Sequence, residues 1–188
     1  MNSEESFNHW FVVPIQWLQA VPNNDGSFIA LATALFLYER YIVAMLETKR
    51  IKADPKSQIT QISSDFGIDE GTAKIFWGVM RHGILHQGMP RQLEHGKKAF
   101  PDWIFHHNEV EHPIEVIEIN SVKILSVQPW MVVNKVMTLW KNNLHLLDQN
   151  QSFPWAQVFN FQLQITENAD REFYLVTGSS SGLGVIGI

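Results

Sequence analysis

Arg81, His82 and His86 stand within six residues of one another in the stretch 74–90, KIFWGVMRHGILHQGMP. A guanidinium is a permanently charged donor fork that matches phosphate oxygens, and an imidazole exchanges its proton near neutral pH. Together they supply what attack by a ribose 2′-hydroxyl on the adjacent phosphate requires. One group must take the hydroxyl proton, and donors must meet the charge that develops on the phosphate oxygens. His86 is the candidate base and Arg81 the candidate donor. His82 would protonate the leaving 5′-oxygen or orient Arg81. On an ideal helix His82 and His86 share a face, while Arg81 lies about 140° round from His86.

The element that must position these side chains is itself legible. Ile75, Phe76, Val79, Met80, Ile84 and Leu85 repeat at helical spacing. Asp69 or a neighbour starts that helix at Glu70, where an acid suits the positive end of the dipole. Gly88 offers a left-handed C-cap, and Pro90 forbids continuation. The two imidazoles therefore sit near a helix C-terminus, whose partial negative charge favours imidazolium.

Arg-x(4–6)-His near the end of an internal helix, often with Asn, Asp or His directly after the Arg, is the signature of the HEPN superfamily. The name stands for higher eukaryotes and prokaryotes nucleotide-binding domains. Arg81-His82-Gly83-Ile84-Leu85-His86 resembles that signature with four intervening residues. The resemblance implies a mainly α fold, a HEPN-like helical bundle, extending roughly over residues 7–148. It also implies metal-independent RNA endonuclease activity or RNA binding, in phage defence, toxin–antitoxin or RNA-decay systems. Arg81, His82 and His86 would be its catalytic residues. In that family two motifs commonly meet across a symmetric homodimer, one chain giving the base and the other the acid. The long β-like region after the motif departs from the family pattern. Many family members are also non-catalytic, so a helical dimerisation or protein-interaction module is the alternative, with a protein partner or antitoxin.

Composition narrows the choice. Hydrophobic content of 45%, with seven Trp and twelve Phe, makes a buried core and excludes a disordered chain. No cysteine is present, which excludes a disulfide frame, a thiolate metal site and a catalytic thiol, and fits a reducing cytoplasm. The N-terminal MNSEES is acidic and lacks the basic leader of a signal peptide. Net charge is −5, so RNA must be held by a local basic patch and not by the global field. Residues 81–98 offer one: Arg81, Arg91, Lys97 and Lys98 stand against the single acid Glu94, and Arg91, Lys97 and Lys98 are the candidate RNA-binding residues. A solvated loop accounts for the same run.

Residues 7–20 suit a helix kinked or begun at Pro14, apolar at Phe7, Trp10, Phe11 and Trp17-Leu18. Residues 28–47 form the most apolar helix. Glu39 and Arg40 inside it disfavour a membrane span, so it reads as a bundle centre or a dimer face, with the two charges snorkelling or salt-bridged. Residues 49–57 read as a basic loop and 58–66 as a short helix ended by Gly67. A β-hairpin insert is expected near 100–125, with Asn120-Ser121 turning between strands 115–119 and 122–125. A closing helix follows over 127–147. The expected division is a single helical domain over 1–165, then a C-terminal strand and flexible Gly/Ser-rich tail over 166–188.

Other signals carry less. LVTGSSSGLG at 175–184 resembles a dinucleotide-binding turn, but only four residues follow Gly184, too few for the helix that would bind phosphate. No cofactor is expected. The cluster His106-His107-Asn108-Glu109-Val110-Glu111-His112 scatters its ligands over both faces of a strand, and His82-x3-His86 lacks the Glu of a zinc helix, so no metal is expected. A small-molecule or nucleotide-binding bundle would instead present a closed pocket lined by Trp77, Trp130 or Trp140.

Overall fold

The chain folds as a mainly α helical bundle with a small β-sheet set into it. The computed structural model describes residues 3–94, 97–108 and 110–148, all within one unit over Met1–Ser152. The end of the expected helical domain over 149–165, the expected C-terminal strand and tail over 166–188, His95 and Glu109 lie outside the described residues.

Helix α1 is α-helical over Ser3–Phe7, π-helical over Asn8–Val12 and α-helical again over Val13–Gln19. It neither begins nor breaks at Pro14. Proline has no N–H for the Trp10 carbonyl and crowds it; the wider turn just before, in which Val13 N–H reaches Asn8 O, accommodates the ring. The extra residue in that turn shifts the core-facing stripe to Phe7 and Ile15. Trp10 and Trp17, expected in the apolar stripe, are 54% and 71% exposed as a result.

Helix α2 (Ser27–Thr48) buries Leu31, Leu35, Leu37, Tyr38, Tyr41 and Ile42 on one broad face, while Ile29 and Phe36 stay exposed on the other. By length and composition alone it passes for a membrane-crossing helix, yet 56% of its most apolar window is buried inside the fold. Helix α3 (Pro55–Phe66) starts earlier than expected. Asp54 caps it by accepting from Ser57 N–H at 2.8 Å, and Pro55 fits the first turn. Asp54-Pro55 is thus a helix start and not the end of a loop. Gly67 closes α3 in the left-handed conformation.

Helix α4 is the motif helix: α-helical over Glu70–Phe76, π-helical over Trp77–Arg81, α-helical over His82–Gln87. Asp69 caps its start through Thr72 N–H at 3.0 Å. Gly88, at φ +75°, ends it with its N–H on Ile84 O.

Two short strands, β1 (Leu93–Glu94) and β2 (Lys97–Lys98), then pair antiparallel. Strands β3 (Asp102–Phe105), β4 (Ile114–Ile119) and β5 (Val122–Val127) form a sheet in the order β3-β5-β4. The expected hairpin is there, with Asn120 and Ser121 both at positive φ as a two-residue primed turn requires. The insert is larger than a hairpin because β3 adds to β5 in parallel, Asp102 opposite Ile124 and Phe105 opposite Val127.

Helix α5 (Pro129–Lys141) is shorter than the expected 127–147. Val127 stays in β5, Gln128 accepts from Met131 N–H at 2.8 Å as N-cap, and Leu144–Asp148 form a separate 3-10 turn. The core lies where α2, α3, α4 and α5 meet. Tyr38 sets its ring edge-to-face with Phe66 (5.3 Å) and Trp77 (5.8 Å), and Tyr41 does the same with Trp140 (5.5 Å).

Candidate functional site

The motif helix is held by the chain that follows it. After Gly88 the backbone turns back over α4, where Arg91 N–H donates to Val79 O and Arg91 Nε to Gly78 O, both at 3.1 Å. Two glycines make the close approach feasible. A Cβ on Gly83 would stand 2.4 Å from the Arg91 nitrogen, and one on Gly78 would stand 2.5 Å from the Phe100 ring. Phe100 in turn lies under the Arg91 guanidinium, 5.2 Å from ring centroid to Cζ. The π turn over Trp77–Arg81 therefore sits under a clamp made of Arg91 and Phe100, and Arg81 is its last residue. Single π turns recur at functional sites.

Arg81 is the hub of the cluster. Its Nη2 pairs with Glu39 Oε1, and its Nε donates to Glu39 Oε2 at 3.2 Å, a two-pronged bridge to α2. Its Nη1 donates to His82 Nδ1 at 2.9 Å and to His86 Nε2 at 3.1 Å. The imidazoles stack with centroids 5.9 Å apart, as their four-residue spacing leads one to expect. The 140° between Arg81 and His86 on an ideal helix does not keep them apart, because the long arginine side chain folds back across the helix to both rings. The Arg81 and Glu39 side chains are 17% and 26% exposed, so the pair is largely withdrawn from water, whereas His86 is exposed. The sequence leaves Glu39 to snorkel or to find some salt bridge; its partner is the motif arginine.

Protonation follows from these bonds. Arginine can only donate, so both ring nitrogens facing it must accept; neutral His82 then carries its proton on Nε2 and neutral His86 on Nδ1. For His82 burial is the main cause of a lowered pKa, with the Arg81 charge second and Arg91 third. The expected pull of the helix terminus toward imidazolium is outweighed at this residue. A neutral His82 suits orientation of Arg81 and does not suit protonation of a leaving oxygen.

A groove of about 800 Å³ opens beside the cluster. Glu39, Arg81, His82 and Arg91 line it at the motif, Trp77, Gly78 and Phe100 add aromatic and small surfaces, and Lys56, Glu70 and Lys74 bring charge from α3 and α4. Of the expected RNA-binding residues, Arg91 reaches this groove while also clamping α4. Lys98 is paired with Asp102 at 3.1 Å, and Lys97 is exposed. Sequence reasoning missed Lys56, Lys74 and Phe100 as neighbours of the motif, since they come from separate stretches of the chain. Trp130 and Trp140, expected as pocket walls in a ligand-binding bundle, are instead core residues, with their indole N–H groups on Asn24 Oδ1 and Leu37 O. No group of three or more metal-ligating side chains occurs among the described residues.

No protein-family model matches the chain, and neither a curated protein nor a solved structure matches it at a significant level.

Proposed function

We propose that the chain is a metal-independent RNA endonuclease or RNA-binding protein of the HEPN kind, acting as a homodimer. The observation that supports this is the Arg81 cluster: one guanidinium anchored by Glu39 and turned toward two imidazoles, with Arg81 and His82 lining a groove. A phosphate oxygen is an ionised acceptor and an imidazole nitrogen here is not, so an arriving phosphate draws Nη1 away from the rings. That frees His86 Nε2. It takes the 2′-hydroxyl proton, the 2′-oxygen bonds to phosphorus, and the bond to the 5′-oxygen breaks. The proton for the 5′-oxygen comes from His86 of a second copy in its imidazolium form, which is why two copies packed around α2 and α4 are needed. Arg81 holds the charge on the phosphate oxygens, and His82 keeps Arg81 in place. Phage defence or toxin–antitoxin function in the cytoplasm is the setting proposed with it.

The test is incubation of purified protein with single-stranded and structured RNA in EDTA. Cleavage is expected to continue and to leave 2′,3′-cyclic phosphate or 3′-phosphate ends. His86→Ala is expected to slow it by roughly 10²–10⁴; His86 is exposed, so circular dichroism should show the fold kept. RNA left intact by protein that light scattering shows to be dimeric would overturn the enzyme reading. The exposed Trp10, Trp17, Ile29 and Phe36 favour a second reading, a non-catalytic dimerisation or protein-interaction module, which intact RNA would bring forward.

A further inference from the structure

The groove beside the Arg81 cluster holds more cationic and aromatic surface than positioning a single phosphate needs. Lys56, Lys74, Arg81 and Arg91 line it against two carboxylates, Glu39 and Glu70. Glu39 is already engaged by Arg81, and Glu70 accepts from the Thr60 hydroxyl at 2.8 Å. A local excess of positive charge in a chain of net charge −5 marks this groove as a place for an anion. The lysines are exposed and sit on two different helices, whereas the half-buried Phe100 gives the groove an aromatic wall and the buried Trp77 only an edge of its floor. Phe100 is held there on two sides: Gly78 leaves room for its ring, and the Arg91 guanidinium covers it. A volume of about 800 Å³ also exceeds what a bare phosphate would fill and falls within the range of small-ligand sites.

We propose that this groove is a nucleotide subsite next to the cleavage position, with a base against the Phe100 ring and its phosphate between Lys56 and Lys74. The inference rests on the RNA reading above and gives it a preference for single-stranded substrate, because a paired base cannot reach an aromatic wall. The ligand chemistry is a nucleoside phosphate. It can arrive within an RNA strand or as a free nucleotide.

The test uses the full-length His86→Ala protein, in which cleavage is expected to be slow enough for binding to be read. Three probes are titrated against its tryptophan fluorescence: adenosine 3′-monophosphate, adenosine alone, and a single-stranded RNA hexamer. The hexamer is expected to bind best, the mononucleotide measurably, and the nucleoside more weakly than the mononucleotide. Reversing both exposed lysines, Lys56→Glu with Lys74→Glu, is expected to weaken hexamer binding at least about tenfold. It should also flatten the salt dependence by about 0.7 in log–log slope for each phosphate that is no longer neutralised. Phe100→Leu, which keeps an apolar filler against Gly78, is expected to reduce hexamer affinity about ten- to hundredfold while leaving the salt slope unchanged. Mononucleotide binding that equals hexamer binding would identify a free-nucleotide site and still support the groove as the subsite. Hexamer binding untouched by the lysine pair and by Phe100→Leu overturns the inference, and cleavage by protein that carries the same substitutions but keeps His86 leaves the ribonuclease reading standing. Binding that depends on these residues, in a protein whose wild type cuts nothing, does the reverse.

Discussion

At the scale of single residues, the site turns on which form of histidine Arg81 can hold. Its Nη1 bonds to His82 Nδ1 and His86 Nε2 exist only while those nitrogens are unprotonated. Burial and the neighbouring guanidiniums lower the His82 pKa in the folded chain from its ordinary 6.5. The unfolded chain therefore takes the proton more readily. The stability that His82 contributes is complete above about pH 6.5 and is lost as pH falls through the depressed native value. Urea midpoints measured from about pH 8 down to pH 5 are expected to fall more steeply in the wild type than in His82→Asn, whose amide oxygen accepts from Arg81 without titrating. Equal slopes would mean that His82 titrates alike in the folded and unfolded chains.

At the scale of elements, α4 owes its shape to what is packed against it. Gly78 and Gly83 both lie under the returning chain, but their neighbours differ. Gly83 faces backbone atoms of Met89, Pro90 and Arg91, whereas Gly78 faces the far edge of the Phe100 ring. A ring can tilt, and a hydrogen-bonded backbone cannot without giving up the Arg91–Val79 bond. Gly78→Ala is expected to cost about 1–3 kcal/mol, an ordinary overpacking penalty, and Gly83→Ala more than that. Denaturant unfolding of the two variants checks the order. Gly83→Ala proving the milder would place the returning chain elsewhere. Both glycines stand in plain view in the sequence, yet nothing local to them says that residues 89–100 come back to cover them.

At the scale of the whole molecule, α2 and α5 are joined at Trp140, far apart in sequence. The indole is fully buried, donates its N–H to Leu37 O at 3.1 Å, and packs against Phe7 and Tyr41. Trp140→Phe removes both the bond and part of the filled volume and leaves a buried carbonyl short of a donor. It is expected to cost about 2–4 kcal/mol, seen as a lower midpoint in thermal or urea unfolding. A change within error would show that α5 is held elsewhere.

What the sequence determined by itself is what nearest neighbours decide. Apolar periodicity and cap chemistry placed α2, the start of α4 at Asp69 and its end at Gly88, and Asn120-Ser121 marked the hairpin. The motif residues Arg81, His82 and His86 were recognisable by type and spacing, and a spacing of four already stacked the two imidazoles. What only the tertiary structure decided depends on contacts between distant segments. The parallel pairing of β3 with β5 has no local signature, since it brings Asp102 opposite Ile124 and so joins segments that β4 separates in the chain. The π turns come from conflict, Pro14 within α1 and the Arg91 clamp on α4, and not from any propensity of their own residues. Glu39 looks like a charge stranded in an apolar helix; forty-two positions along the chain, Arg81 shows what it is for. The groove, too, exists only once Lys56, Lys74 and Phe100 are brought to one place, because desolvation and charge act through space and not along the sequence.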